Sequence, residues 1–289
     1  MAFPAEANAI SRAAAVLAAP FERFQGPMLK PLGIRTRIRE DWRSLKDLGI
    51  AARSEFRKER KSAGYQAAFD DPEPLVTVCI ATFNRGALLT GRSIPSILAQ
   101  TYRNLELIVV GDGCTDDTPE RVGAIDDPRL RFENLAERGR YPDEPRHRWM
   151  VAGTAAMNRA LSMARGTFVT HLDDDDEHDA SRLEKLLAII RKERADLVYH
   201  PFRYEMPDGT WRTNLAERFR IGQITTSSIF YHRRLAEIPW DVNAWEYLEP
   251  GDWNRLRKIR FLGARRVRHP DPLLTHYREN NQKPPPVTG

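Results

Sequence analysis

Between residues 74 and 200, short uniformly apolar runs alternate with longer stretches in which apolar residues recur every three or four positions. The short runs at 75–81, 105–110, 129–132, 167–172 and 197–202 predict strands, the first two buried on both faces. The longer stretches predict helices. One carries Ile94, Ile97 and Leu98 on a single face, and Pro95 requires it to begin near Ser93 or to kink. A second covers about 117–125 and a third about 151–164, closed by Gly166. The next is capped by Asp179 or Ser181 and carries Leu183, Leu186, Leu187 and Ile190 at helical spacing. Residues 136–149 read as a polar, basic loop, and 253–261 as a further helix. Strands alternating with helices predict a mostly parallel sheet covered on both faces.

Residues 1–70 have a different texture. Apolar positions recur loosely at Ile10, Ala14 and Leu17 and are broken by Pro20, Pro27 and Pro31; a second helical run spans about 41–65. Asp71-Pro72-Glu73-Pro74 marks the boundary. The segment holds 13 Lys/Arg against 8 Asp/Glu, which accounts for the whole formal charge of +5. It carries no catalytic pattern and reads as a packing collar, an oligomer contact or a membrane-surface element.

The bulk values narrow the class further. A chain of 289 residues, 41% hydrophobic and 29% charged, supports one large domain with an appendage. Cys79 and Cys114 are spaced for neither zinc nor a disulfide framework, which predicts a reducing compartment. No run approaches the ~20 apolar residues of a membrane span, and the start lacks a signal-peptide pattern. The expectation is a cytoplasmic protein, peripheral at most to the inner face of a membrane, with no nucleic-acid partner.

Ligands of open α/β sheets bind beyond the carboxyl ends of the strands. Three polar clusters sit at such ends: Thr82-Phe83-Asn84-Arg85, Gly111-Asp112-Gly113-Cys114-Thr115-Asp116, and Asp173-Asp174-Asp175-Asp176. Four adjacent carboxylates repel one another unless a cation offsets them. Asp173 and Asp175, two apart on extended chain, can face one site. Hard oxygen donors favour Mg2+ or Mn2+, which could hold a diphosphate; a solvated acidic turn is the plain alternative. Asp112 can accept from a base N–H or a ribose hydroxyl, or cap a turn.

Taken together, 76–85, 96–102, 106–116 and the acidic run 172–176 resemble glycosyltransferase family 2, with its GT-A fold and Asp-x-Asp signature. The resemblance implies an α/β, Rossmann-like, mostly parallel sheet flanked by helices. It divides the chain into a helical extension at 1–73, a GT-A domain at 74–280 (nucleotide-binding half 74–176, acceptor half 177–280) and a flexible tail at 281–289. It implies an inverting transferase using a nucleoside-diphosphate sugar, a UDP-sugar in preference, with Mn2+ or Mg2+. The acceptor would be a glycan, a lipid-linked sugar or a small molecule. Ala81, Thr82, Phe83, Asn84, Arg85 and Asp112 would serve the nucleoside side, and Asp173 and Asp174 the diphosphate. Asp173 and Asp175 would ligate the metal, with His276 as a third ligand. Asp252, at the start of the 253–261 helix, would be the catalytic base, with Glu249 as its substitute; read from the residues alone, Asp252 is a helix cap. The sequence departs from the family pattern at Gly111, where an acid is common, at Cys114, where serine is common, and at Ala180, where proline is common.

Weaker candidates are Arg138, Arg140, Arg146, His147 and Arg148 for phosphate, and Asn158 for the donor pocket. Trp240, Trp245, Tyr247 and Trp253 are candidates for an acceptor sugar, although buried aromatics more often form core. A nucleotidyltransferase would need a glycine-rich basic loop after the first strand, which residues 81–85 lack. A glycoside hydrolase would need no nucleotide site. The non-enzymatic rival is an inactive GT-A-like nucleotide-sugar-binding or scaffold protein.

Overall fold

The computed structural model describes residues 33–278. The spacing at Ile10, Ala14 and Leu17, the rest of 1–32 and the 281–289 tail lie outside the described residues. The described residues open with three helices, α1 (Gly33–Leu48), α2 (Ala52–Arg60) and α3 (Ala63–Ala67). The expected single run at 41–65 is therefore broken.

Strand β1 (Val76–Thr82) is an interior strand of the larger sheet, and its apolar side chains are covered on both faces. It pairs in parallel with β2 (Leu105–Gly111) and β4 (Phe168–His171), and β2 pairs in parallel with β3 (Leu130–Asn134). Strands β6 (Leu197–Tyr199), β9 (Ile229–His232) and β10 (Arg266–Arg268) complete a seven-stranded sheet of order β10-β6-β9-β4-β1-β2-β3. β9 runs antiparallel to both its neighbours. Its start therefore arrives beside the carboxyl end of β4. A second sheet, β5-β11-β7-β8, joins β5 (Glu177–His178), β7 (Phe202–Glu205), β8 (Trp211–Asn214) and β11 (Leu274–His276). The architecture is the mixed α/β arrangement expected, with helices flanking the main sheet.

Four local expectations change. First, the helix after β1, α4, begins at Gly86–Leu88, passes through a π turn at Leu89–Ser93 and ends at Ile94–Leu98. The wider turn lets the chain reach Pro95, whose nitrogen has no hydrogen to donate. Second, the expected strand at 197–202 is two strands in different sheets. Pro201 can donate nothing to a ladder, and the chain crosses from β6 to β7 there. Third, the loop expected at 136–149 contains helix α6 (Pro145–Val151), whose first N–H groups are accepted by the Glu144 carboxylate. Fourth, the helix expected at 151–164 is α7 (Thr154–Met163), separated from α6 at Ala152–Gly153. Helices α5 (Thr118–Gly123) and α8 (Arg182–Glu193) fall where predicted.

The last helix, α9 (Gly251–Phe261), packs against α1 across the whole length of the sequence. Within the N-terminal extension, α1 thus packs directly on the folded body.

Candidate active site

The parallel register Thr82↔Gly111 brings the carboxyl ends of β1 and β2 together. The carbonyl of Thr82 accepts from the Asp112 N–H at 2.8 Å. The hydroxyl of Thr82 donates to Asp174 Oδ2 at 2.7 Å. One residue therefore ties two of the three polar clusters to a common sheet edge.

Asp112 is 1% exposed. Its carboxylate accepts from the Gly139 N–H at 3.0 Å and from the Tyr141 hydroxyl at 2.8 Å, with Arg138 3.9 Å away. The Arg138 guanidinium also covers the Phe83 ring, 3.8 Å from its centroid. The two groups expected to meet a nucleoside are thus occupied by the 138–141 segment. Asn84 adopts a left-handed φ of 54° and binds the next loop through Thr115, donating to its hydroxyl and accepting from its N–H. Its contacts tie two loops together. A Cβ on Gly111 would lie 2.4 Å from Asn134 Oδ1, so a side chain there would displace the Asn134 amide. Gly113 has φ +69°, and a Cβ on it would lie 2.4 Å from the Arg138 nitrogen, so the close approach of the 138–141 segment depends on it.

The acidic run follows β4. The Asp173 N–H donates to Ser227 Oγ at 2.9 Å, which the antiparallel β9 brings alongside. A fully buried Arg182 holds that corner, donating to Thr170 Oγ1 and to the carbonyls of Ser227 and Ile229. Burial without a carboxylate partner pushes its guanidinium down to about 9. Arg85 donates to Asp174 Oδ1 at 3.1 Å and to Asp175 Oδ2 at 2.5 Å. Arg92 donates to the Asp175 carbonyl at 2.7 Å and lies over the Tyr277 ring. Asp176 accepts from His276 Nδ1 at 2.9 Å and from the Tyr277 N–H at 3.1 Å.

Burial dominates the titration of this cluster. Desolvation, then Asp176 and Asp175, raise the Asp173 carboxyl well above the usual range. Burial pushes Asp174 up to about 6 although Arg85 opposes it. Burial alone would lower His276, but Asp176, bonded to it, and then Asp173 and Asp175 raise it. In this arrangement His276 Nδ1 is held against the Asp176 carboxylate. Among the described residues no three His, Cys, Asp or Glu side chains form a ready metal-ligand group.

Asp252 sits in the first turn of α9, and Pro250 occupies the N-cap position. Its one hydrogen bond is from the Trp253 N–H at 2.6 Å, and no cation pairs with it among the described residues. Desolvation pushes its carboxyl up to about 6. Glu249 is the opposite case. It is buried and accepts from Arg43, Arg257 and Asn254 at 2.9, 2.6 and 3.2 Å. Both its oxygens are committed to fixed cations, so it is an anchor and not the substitute base expected.

The α6–α7 segment is the common neighbour of these groups. A Cβ on Gly153 would touch the Ala81 Cβ at 3.8 Å, and one on Gly251 would touch the Met150 carbonyl at 3.4 Å. Ala155 N–H donates to the same Tyr141 hydroxyl that binds Asp112. Asn158 is spent on the Trp240 backbone, donating to its carbonyl and accepting from its N–H. Trp240 and Trp253 are core residues and do not face an acceptor. Trp245 stacks on His147 at 4.7 Å, and Tyr247 lies beneath Arg43. Exposed Trp149, which no periodicity singled out, lies on the same short helix as His147. Among the basic loop candidates, Arg148 bonds the Asp143 carbonyl.

The model for glycosyl transferase family 2 matches residues 77–243. Among curated proteins, the succinoglycan biosynthesis protein ExoO of Rhizobium meliloti is 36% identical over 126 residues, 44% of this chain and 31% of that protein. The UDP-Glc:alpha-D-GlcNAc-diphosphoundecaprenol beta-1,3-glucosyltransferase WfgD of Escherichia coli is 29% identical over 125 residues, 43% of this chain and 44% of that protein. The chain spans less than half the length of the curated relatives it matches. Among solved structures, S. aureus TarS 1-349 in complex with UDP-GlcNAc aligns with a TM-score of 0.55 at 18% identity, over 73% of this chain and 61% of that one. The mannosyltransferase PcManGT of Pyrobaculum calidifontis, in complex with GDP-Man and Mn2+, aligns with a TM-score of 0.52 at 18% identity, over 85% and 70%. At such identities these two share the fold. With the family model covering more than half of its length, the chain belongs to glycosyltransferase family 2.

Proposed function

We propose that the protein transfers a sugar from a nucleoside-diphosphate donor, a UDP-sugar in preference, to an acceptor hydroxyl in glycan biosynthesis, with inversion at the anomeric carbon. The observation that carries this reading is Asp252, without a cation partner among the described residues, next to Gly251, which lies against the same α6–α7 segment that touches the end of β1. A carboxyl with a pKa of about 6 is ionised at neutral pH yet basic enough to take a proton. Asp252 takes the acceptor hydroxyl proton as the oxygen forms its bond to the anomeric carbon. The bond to the diphosphate breaks on the opposite face.

The nucleoside lies against Phe83 and Asp112, and its entry exchanges contacts now made by the 138–141 segment. Asp173 and Asp175 would hold a divalent cation, Mn2+ or Mg2+. The donor chemistry fits: these ions take one or two protein carboxylates and complete their shell with substrate phosphates and water, so a three-residue protein cage is not required. When bound, the cation offsets charge on the departing diphosphate. Arg85 now neutralises Asp174 and Asp175 and lies within reach of the same phosphates. The names of the relatives favour UDP-sugars and lipid-linked or polysaccharide acceptors.

The test is nucleotide release with a panel of UDP- and GDP-sugars, Mn2+ and acceptor mixtures. Turnover with one donor supports the transferase; binding of several donors without turnover would favour a scaffold.

A further inference from the structure

Helix α1 is inverted with respect to the body it packs on. A surface helix ordinarily buries its apolar stripe and exposes its charges. Here Glu40 and Ser44 are buried, and Asp47 turns the same way. Glu40 accepts from the Trp253 indole N–H at 2.8 Å and pairs with Arg260 at 2.9 Å. Arg257 reaches Ser44 Oγ at 3.0 Å and Asp47 Oδ2 at 2.8 Å. The outer arc instead carries Ile38, Trp42 and Leu45, at spacings of four and three, 65%, 62% and 36% exposed. Ile50 follows just past the helix end, 88% exposed. Arg39 and Lys46 flank the stripe on one side and Arg37 on the other, all exposed. The nearest acid, Asp41, is already engaged by Arg260 and Arg37.

We infer that this arc docks on an anionic bilayer surface. A Trp and three aliphatic side chains rimmed by Arg and Lys match a helix lying in the headgroup layer. The charge is complementary, since residues 1–70 carry the chain's whole positive excess. The stripe is short, about 10 Å from Ile38 to Leu45 at 1.5 Å per residue. Attachment is therefore reversible and depends on salt. No described helix is long and apolar enough to cross a membrane, so contact of this kind is superficial. The polar side of α1 is ion-paired to α9, so a docked α1 also fixes the helix that carries Asp252.

The inference stands apart from the proposed reaction, because its test reads vesicle binding rather than turnover. The full chain is sedimented with phosphatidylcholine vesicles, with and without about one-third phosphatidylglycerol, at low salt and at about 0.5 M NaCl. Expected is binding to the anionic vesicles alone, lost at high salt. Ile38→Glu/Trp42→Glu and, separately, Arg39→Glu/Lys46→Glu each weaken it by at least about tenfold, with thermal midpoints unchanged. Native protein that ignores anionic vesicles, or a Glu variant that binds as well as native, overturns the inference. So does a native dimer that Ile38→Glu/Trp42→Glu converts to monomer, which assigns the stripe to a second copy. A large fall in thermal midpoint for that variant also overturns it, because the stripe is then covered by residues 1–32.

Discussion

The protein gathers buried carboxylates in two places, and the two are treated in opposite ways. Between α1 and α9, Glu40, Asp47 and Glu249 each meet a guanidinium: Arg260 at 2.9 Å, Arg257 at 2.8 Å and Arg257 at 2.6 Å. Beyond β4, Arg85 pairs with Asp174 and Asp175 and His276 bonds Asp176, yet burial still raises Asp173, Asp174 and Asp176. Charge that a fold needs only for cohesion is balanced internally, because an unpaired buried ion is costly. Carboxyls that burial raises in spite of such partners mark a place where something else is expected to bind.

The contrast is sharpest at Asp252 and Glu249, three residues apart. We expect Asp252→Asn to lower transfer by about 10²–10⁴-fold, the range for a positioned general base, with donor binding nearly unchanged. The same change should raise stability at neutral pH. Asp252 has a folded pKa of about 6, above its ordinary 3.8, so the folded state prefers it protonated. Stability from that preference is full below pH about 3.8 and declines as pH rises towards 6. Asn avoids the decline, so its gain in thermal midpoint should vanish below pH about 4. A loss of stability on substitution would instead make Asp252 a structural cap.

Arg257→Ala should behave in the opposite sense. It strands Glu249 and Asp47, and breaking a buried pair from one side costs about 3–5 kcal/mol, a fall of roughly 10 °C in thermal midpoint. Calorimetry checks this, and a change within error would make the α1–α9 network incidental. At the acidic end, Mn2+ at about a hundred times its dissociation constant should stabilise the native protein by about 2.7 kcal/mol. Asp175→Asn should abolish most of that gain. The smallest effect is that of pH on turnover: kcat/KM should fall about tenfold per unit below pH 6 as Asp252 is protonated. A flat profile from pH 5 to 7 would remove Asp252 from the chemistry.

Much of this was legible in the sequence where a local signal exists. Uniform apolar runs placed β1, β2 and β4, and the polar residues after them sit at the sheet edge they define. The split at Pro201 was readable in principle, since proline cannot donate to a ladder. The reversal of β9 was not, because a buried strand looks the same in either direction. α6 was hidden by its charges, with Glu144 the one cap that could have revealed it. The least legible feature was the pairing of Arg43 with Glu249, about two hundred residues apart. No local pattern shows that a carboxylate near Asp252 is already bound, and the packing of α1 is what marks Glu249 as an anchor.

The central claim is that the carboxylates beyond β4 await a cation and a diphosphate. Calorimetric titration of UDP into the protein, with and without Mn2+, tests it most directly. The account predicts that Mn2+ tightens UDP binding by at least about tenfold, a coupling of about 1.4 kcal/mol, and that Asp175→Asn removes this coupling. Equal affinity with and without the metal, or coupling that survives Asp175→Asn, would contradict it.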